Sequence, residues 1–116
     1  MIVLYGIPTC DTVRKARVWL AAQGVPHEFH DFKKQGIPVG RLDAWLAHPG
    51  WEKLLNRKGT TWRKLEPAEQ ERACDAAGAK ALMIDHPSVI KRPVVEWGGQ
   101  TTVGFDPAQW ALLARR

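Results

Sequence analysis

The stretch Ile2-Val3-Leu4-Tyr5-Gly6-Ile7-Pro8-Thr9-Cys10-Asp11-Thr12-Val13-Arg14-Lys15-Ala16 passes from an apolar, strand-like run through a turn containing glycine and proline into a segment of helical spacing. Val13, Ala16 and Leu20 recur on one helical face until Gly24 and Pro26 interrupt it, which predicts a helix over residues 11–23. His27-Glu28-Phe29-His30-Asp31-Phe32 has no helix breaker and is expected to form a second strand, parallel to the first through a right-handed crossover. Cys10 therefore falls where the first strand meets the first helix. Backbone N–H groups and the macrodipole at a helix start favour negative charge, which is expected to lower a thiol from about 8.5 toward neutrality. The opposing reading is a small buried thiol with no chemistry.

The middle third has a different texture. Pro38 is placed to open a helix carrying Val39, Leu42, Trp45 and Leu46, and His48-Pro49-Gly50 ends it. A short helix over residues 51–55 is followed by a loop, Asn56-Arg57-Lys58-Gly59-Thr60-Thr61-Trp62-Arg63, rich in basic groups and hydroxyls. Pro67 then opens a helix over residues 68–77 that Gly78 is expected to end, with a further helical stretch over 79–85. In the last third, Pro93-Val94-Val95-Glu96-Trp97, Gly98-Gly99 and Gln100-Thr101-Thr102-Val103 form a hairpin signal, since paired glycines tolerate the positive φ of a tight turn. Asp106 as N-cap and Pro107 at the first helical position open a closing helix with Trp110 and Leu113 turned inward.

A parallel βαβ unit joined to an antiparallel ββα unit predicts an α/β fold, a thioredoxin-like mixed four-stranded sheet with an inserted helical subdomain. The expectation is a single domain over residues 1–116, with the helical insert at about 38–85. Ligands of open α/β sheets bind outside the C-terminal ends of strands, which is where Cys10 falls.

Composition narrows the chemistry. The chain has 116 residues and 45% hydrophobic content, enough for one core, and no apolar run of about 18 residues that would span a membrane. Pro8, Asp11, Arg14 and Lys15 interrupt the first segment, so no signal peptide is expected and the protein is read as soluble and cytoplasmic. Two cysteines in such a setting are expected to be free thiols. A formal net charge of +5 favours anionic partners: carboxylates, oxyanions, nucleic acid or an acidic protein face.

Arg14 lies one helical turn after Cys10 and is expected to stabilise its thiolate or an anionic co-substrate, while Asp11 opposes that arrangement. The residue three after Cys10 is Val13, so the C-x-x-C redox pair is absent and an oxidised Cys10 needs an outside thiol, with glutathione the natural candidate. Cys74, in an alanine-rich segment, reads as structural. Arg92 precedes Pro93 at the start of the hairpin; in a thioredoxin-like plan this proline is commonly cis and its loop faces the cysteine. His27, His30, His48 and His86 lack metal spacing, and no metal is expected. Trp62 interrupts the basic loop and is read as its anchor rather than as a base-stacking platform, so nucleic acid is not the expected partner.

Three segments, Gly6 to Ala16, Leu54-Leu55-Asn56-Arg57-Lys58-Gly59-Thr60-Thr61-Trp62, and Ile90-Lys91-Arg92-Pro93, together resemble the ArsC/Spx family, most closely its YffB-like branch. The resemblance covers essentially the whole chain. It implies a thioredoxin fold with a helical insert, a single nucleophilic cysteine at Cys10, and a basic pocket proposed in this branch to serve glutathione. Relative to the arsenate-reducing branch, the chain keeps Pro8, Cys10, Arg14 and Arg92. It carries Ile7, Val13, Asn56 and Phe105 where that branch has asparagine, serine and two arginines. An arsenate dianion would thus lose two charge-assisted partners worth about 1.5–3 kcal/mol each, which Arg57 or Lys58 would compensate only in part. The Spx branch, in which the fold contacts RNA polymerase and a C-x-x-C pair senses oxidation, is the binding-protein alternative.

The expected activity is glutathione-dependent thiol–disulfide reduction, with arsenate reduction through an incomplete oxyanion pocket and Spx-like regulation as alternatives. Cys10, Arg14 and Arg92 form the expected catalytic set. Thr9, Thr12, Arg57, Lys58, Gly59, Thr60 and Pro93 form the expected substrate-binding set. No bound cofactor is expected, and glutathione enters as co-substrate beside a small-molecule or protein disulfide.

Overall fold

The first strand is buried on both faces of the sheet, since neighbouring side chains point to opposite faces and both Leu4 and Tyr5 are buried. The computed structural model describes residues 2–114, so the ends of the expected 1–116 domain lie outside the described residues. The chain divides into two compact units, one built from residues 2–36 and 92–114 and the other from Ile37–Lys91.

In the first unit, β1 (Ile2–Gly6) pairs in parallel with β2 (His27–Asp31) and antiparallel with β3 (Val94–Glu96), which pairs antiparallel with β4 (Thr101–Val103). The order β2-β1-β3-β4 gives the mixed four-stranded sheet of the thioredoxin-like plan. Leu4 and its partner Val95 face α1 (Asp11–Ala22) and α8 (Pro107–Ala114), where Val13, Ala16, Leu20 and Trp110 complete a buried cluster. Spacings of three, four and seven residues place the three α1 side chains on one stripe. Fully burying a leucine such as Leu4 or Leu20 contributes about 1.5–3 kcal/mol.

Trp110 packs edge-to-face against Phe105, Trp97 and Trp19, with ring centroids 4.9, 5.2 and 5.9 Å away. The expected cap at Asp106 is present, its carboxylate accepting from the Gln109 N–H at 3.3 Å. Gly98 supplies the positive φ, 103°, that the hairpin turn requires. One expected boundary moves: Phe32 leaves the second strand and opens α2 (Phe32–Gln35), because the Asp31 side chain accepts the Lys33 N–H and caps a helical turn there.

The second unit is helical: α3 (Val39–Trp45), α4 (Trp51–Leu54), α5 (Thr60–Lys64), α6 (Pro67–Glu71) and α7 (Ala76–Asp85), followed by a short turn over Pro87–Val89. Leu42, Trp45, Leu54, Leu82, Met83, Val89 and Ile90 are fully buried. Between α3 and α4 the chain turns at His48, whose φ of −146° and ψ of 116° are not helical, and at the cis His48–Pro49 bond.

Two expectations fail here. The basic segment 56–63 is not a loop throughout, since α5 begins at Thr60. Gly78 does not end a helix. The chain breaks instead at residues 72–75, and Asp75 caps α7 by accepting the Gly78 N–H at 2.7 Å. A Cβ on Gly78 would stand 1.8 Å from the Arg72 carbonyl oxygen, so glycine is required by close approach within a first turn. Arg72 then joins α6 to α7, donating to Glu69 at 2.8 Å and to Asp85 at 2.9 Å, with His86 3.2 Å from the same Glu69 oxygen. The hydrogen bonds to Asp85 and Glu69 raise the Arg72 guanidinium above its ordinary value. Among the described residues, no helix is long and apolar enough to cross a membrane.

Candidate active site around Cys10

The geometry of Cys10 follows from the short path between β1 and α1. Its N–H donates to the Ile7 carbonyl at 3.1 Å, closing the Ile7–Cys10 turn, and its own carbonyl accepts the Arg14 N–H at 2.9 Å as the first bond of the helix. Cys10 is thus the N-cap residue of α1, with extended φ and ψ of −77° and 125° and no side-chain cap bond. Its thiol is half-buried against the Leu4–Trp110 cluster rather than sealed within it. Gly6 makes the approach of strand and helix possible: a Cβ there would stand 2.7 Å from Val13 Cγ2.

The same end of the sheet carries Arg92 and Pro93. Tyr5 is opposite Val94 in the antiparallel register, so Gly6 and Pro93 are the next residues at that end, and the turn holding Thr9 and Cys10 emerges beside the Arg92–Pro93 loop. The Arg92–Pro93 bond is cis, as expected of this position. Pro93 is buried, with its carbonyl accepting the Gly104 N–H at 2.9 Å, and Arg92 is half-exposed. Thr9 and Thr12 are both exposed. Arg14 is on the surface and is ion-paired with Asp11, the residue expected to oppose its action on the thiolate. An exposed pair of this kind contributes at most about 1 kcal/mol, so an anion can displace it at little cost.

Arg57, Lys58, Gly59 and Thr60 lie in the second unit, between α4 and the start of α5. The Asn56 N–H donates to Val89 O at 2.7 Å, and Asn56 Oδ1 accepts the Lys58 N–H at 3.1 Å. Arg57 Cζ is 5.9 Å from the Trp51 ring centroid and 5.6 Å from that of Trp62. Sequence reasoning presents Trp51 only as a helix start, and its partnership with Arg57 leaves no periodic trace because a turn intervenes. Trp62 is half-buried, and its backbone carbonyl accepts from Gln70 Nε2 at 2.9 Å. Cys74 is exposed in the turn before α7. Among the described residues no group of three or more histidine, cysteine or carboxylate side chains is arranged to hold a metal ion.

A thioredoxin-like sheet with a single cysteine at the start of its first helix defines a class, and comparison places the chain within it. The ArsC family model matches residues 5–113, and the chain belongs to the ArsC family. The solved structure of a protein described as YFFB is 49% identical, covers 98% of this chain and 99% of its own, and superposes with a TM-score of 0.93. An arsenate reductase (ArsC) related protein from Brucella melitensis is 48% identical over 96% of this chain and 92% of its own, with a TM-score of 0.75. An uncharacterized protein of Haemophilus influenzae is 34% identical over 95% of this chain and 96% of its own length. The global transcriptional regulator Spx of Streptococcus pyogenes is more distant, 25% identical over 91% of this chain and 79% of its own.

Proposed function

We propose that the protein is a glutathione-dependent thiol–disulfide reductase whose nucleophile is Cys10. The observation that carries this reading is the placement of a half-buried thiol as the N-cap residue of α1, beside the cis Arg92–Pro93 loop, with Val13 one turn on. Membership of a family whose relatives include arsenate reductase-related proteins supports redox chemistry at sulfur.

In the proposed cycle, the Cys10 thiolate attacks the glutathionyl sulfur of a mixed disulfide. The old S–S bond breaks, the substrate leaves as its thiolate, and Cys10 becomes glutathionylated. A second glutathione thiolate attacks that glutathionyl sulfur, releasing oxidised glutathione and restoring the Cys10 thiolate. Arg92 and Arg14 stabilise the anionic groups at the sheet end, Arg14 by exchanging its exposed partner Asp11 for the incoming anion. Thr9, Thr12 and Pro93 line the approach. Glutathione carries carboxylates as well as sulfur, and in this reading Arg57, Lys58, Gly59 and Thr60 are the residues that hold them.

Glutathione-dependent reduction of a mixed disulfide, assayed for wild type and Cys10→Ser, tests the reading, with mass spectrometry of Cys10 after exposure to oxidised glutathione. Loss of turnover in the variant and an adduct on Cys10 are expected. Equal rates in the two proteins remove Cys10 from the mechanism. Arsenate turnover exceeding disulfide turnover favours the oxyanion reading, and polymerase capture without any turnover favours the regulatory one.

A further inference from the structure

Three cations fall in the segment 57–63, and the structure does not treat them alike. Arg57 Cζ stands 5.9 Å from the ring centroid of Trp51 and 5.6 Å from that of Trp62, and its Nη2 reaches the Ala73 carbonyl at a long 3.5 Å. Arg63 turns back on the chain, donating to the Lys58 carbonyl at 2.5 Å. Lys58 is exposed, as Arg57 and Arg63 are, and its N–H is fixed by Asn56, but its ammonium, unlike the two guanidinium groups, has no hydrogen-bond, ion-pair or ring partner among the described residues. A guanidinium over two indoles is attracted by both ring faces and lends itself to holding backbone in place. An ammonium on a flexible stem is a strongly hydrated point charge suited to meeting a carboxylate.

We infer that Arg57 is a positioning residue, clamped by Trp51 and Trp62 so that the Lys58–Thr60 backbone and the Lys58 ammonium are presented to a carboxylate-bearing ligand, and that Lys58 is the cation that touches it. This rests on the glutathione reading above and divides the roles within the segment that reading assigns to carboxylates. The two residues carry the same formal charge, yet their substitutions differ in kind. Removing Lys58 removes an ionic contact, whereas removing Arg57 loosens the segment and leaves that contact's charge intact.

The test measures the KM for glutathione against salt in wild type, Lys58→Met, Arg57→Gln, Trp62→Leu and the double variant Arg57→Gln/Trp62→Leu, together with hydrogen exchange of the Lys58, Gly59 and Thr60 amides without ligand. Lys58→Met is expected to raise KM about tenfold, as for loss of a charge-assisted contact, and to flatten its salt dependence. Arg57→Gln and Trp62→Leu are each expected to raise KM while keeping the wild-type salt dependence and to speed exchange of those amides. The double variant is expected to be no worse than the worse single one, because both substitutions break one assembly. A flattened salt dependence in Arg57→Gln, or effects that multiply in the double variant, overturns the positioning role. Exchange rates in Arg57→Gln equal to wild type overturn it too, with or without turnover. Absence of glutathione turnover in the wild type instead overturns the reading on which the inference rests, and the exchange data tell the two failures apart.

Discussion

At the scale of single residues, the proposed chemistry turns on what surrounds one sulfur. Cys10 is the N-cap residue of α1, and Asp11 in the first turn occupies the Arg14 guanidinium. Asp11→Asn removes a repelling carboxylate and frees Arg14 together. Alkylation of Cys10 by iodoacetamide at neutral pH is therefore expected to accelerate about two- to fivefold, the size of one charge at a helix terminus. An unchanged rate would show that neither group acts on the sulfur. The sequence carried the place of Cys10, since a strand–helix junction is local. It did not carry the commitment of Arg57 to two indoles, which depends on how α4 and α5 are brought together by the chain between them.

At the scale of elements, close approaches set the tolerances. Gly78 sits in the first turn of α7 against the Arg72 carbonyl, so a single added methyl forces backbone to move. Gly78→Ala is expected to destabilise the protein by about 1–3 kcal/mol or more, read as a lowered denaturant midpoint with an unchanged slope. Asp106→Ala, which removes an exposed helix cap and nothing else, is expected to cost about 1 kcal/mol in the same measurement. Equal effects from the two would mean that α7 relaxes around the added methyl. The contrast explains why one glycine misled: a glycine after an alanine-rich run looks like a helix stop. Asp75, three residues before it, is a capping signal of equal local strength, and the approach of the Arg72 carbonyl decides between them. The hairpin and closing helix were legible because Gly98, Asp106 and Pro107 act within their own turns.

At the scale of the whole molecule, a net charge of +5 biases the surface toward anions over distances that salt can screen. Raising sodium chloride from about 50 to about 500 mM shortens the screening length severalfold and is expected to raise the KM for glutathione severalfold. A salt-independent KM would count against carboxylate recognition by exposed cations. The sequence by itself determined the four strands of the first unit, its first and last helices but not the short α2, and a cysteine at a strand–helix junction. Hydrophobic period, caps and turn glycines all act within a few residues of where they are written. Only the tertiary structure decided where the middle helices break and that Arg57 stands near the rings of Trp51 and Trp62. Those outcomes depend on carbonyls, rings and carboxylates that the folded chain brings within a few ångströms of one another, and no local pattern records them.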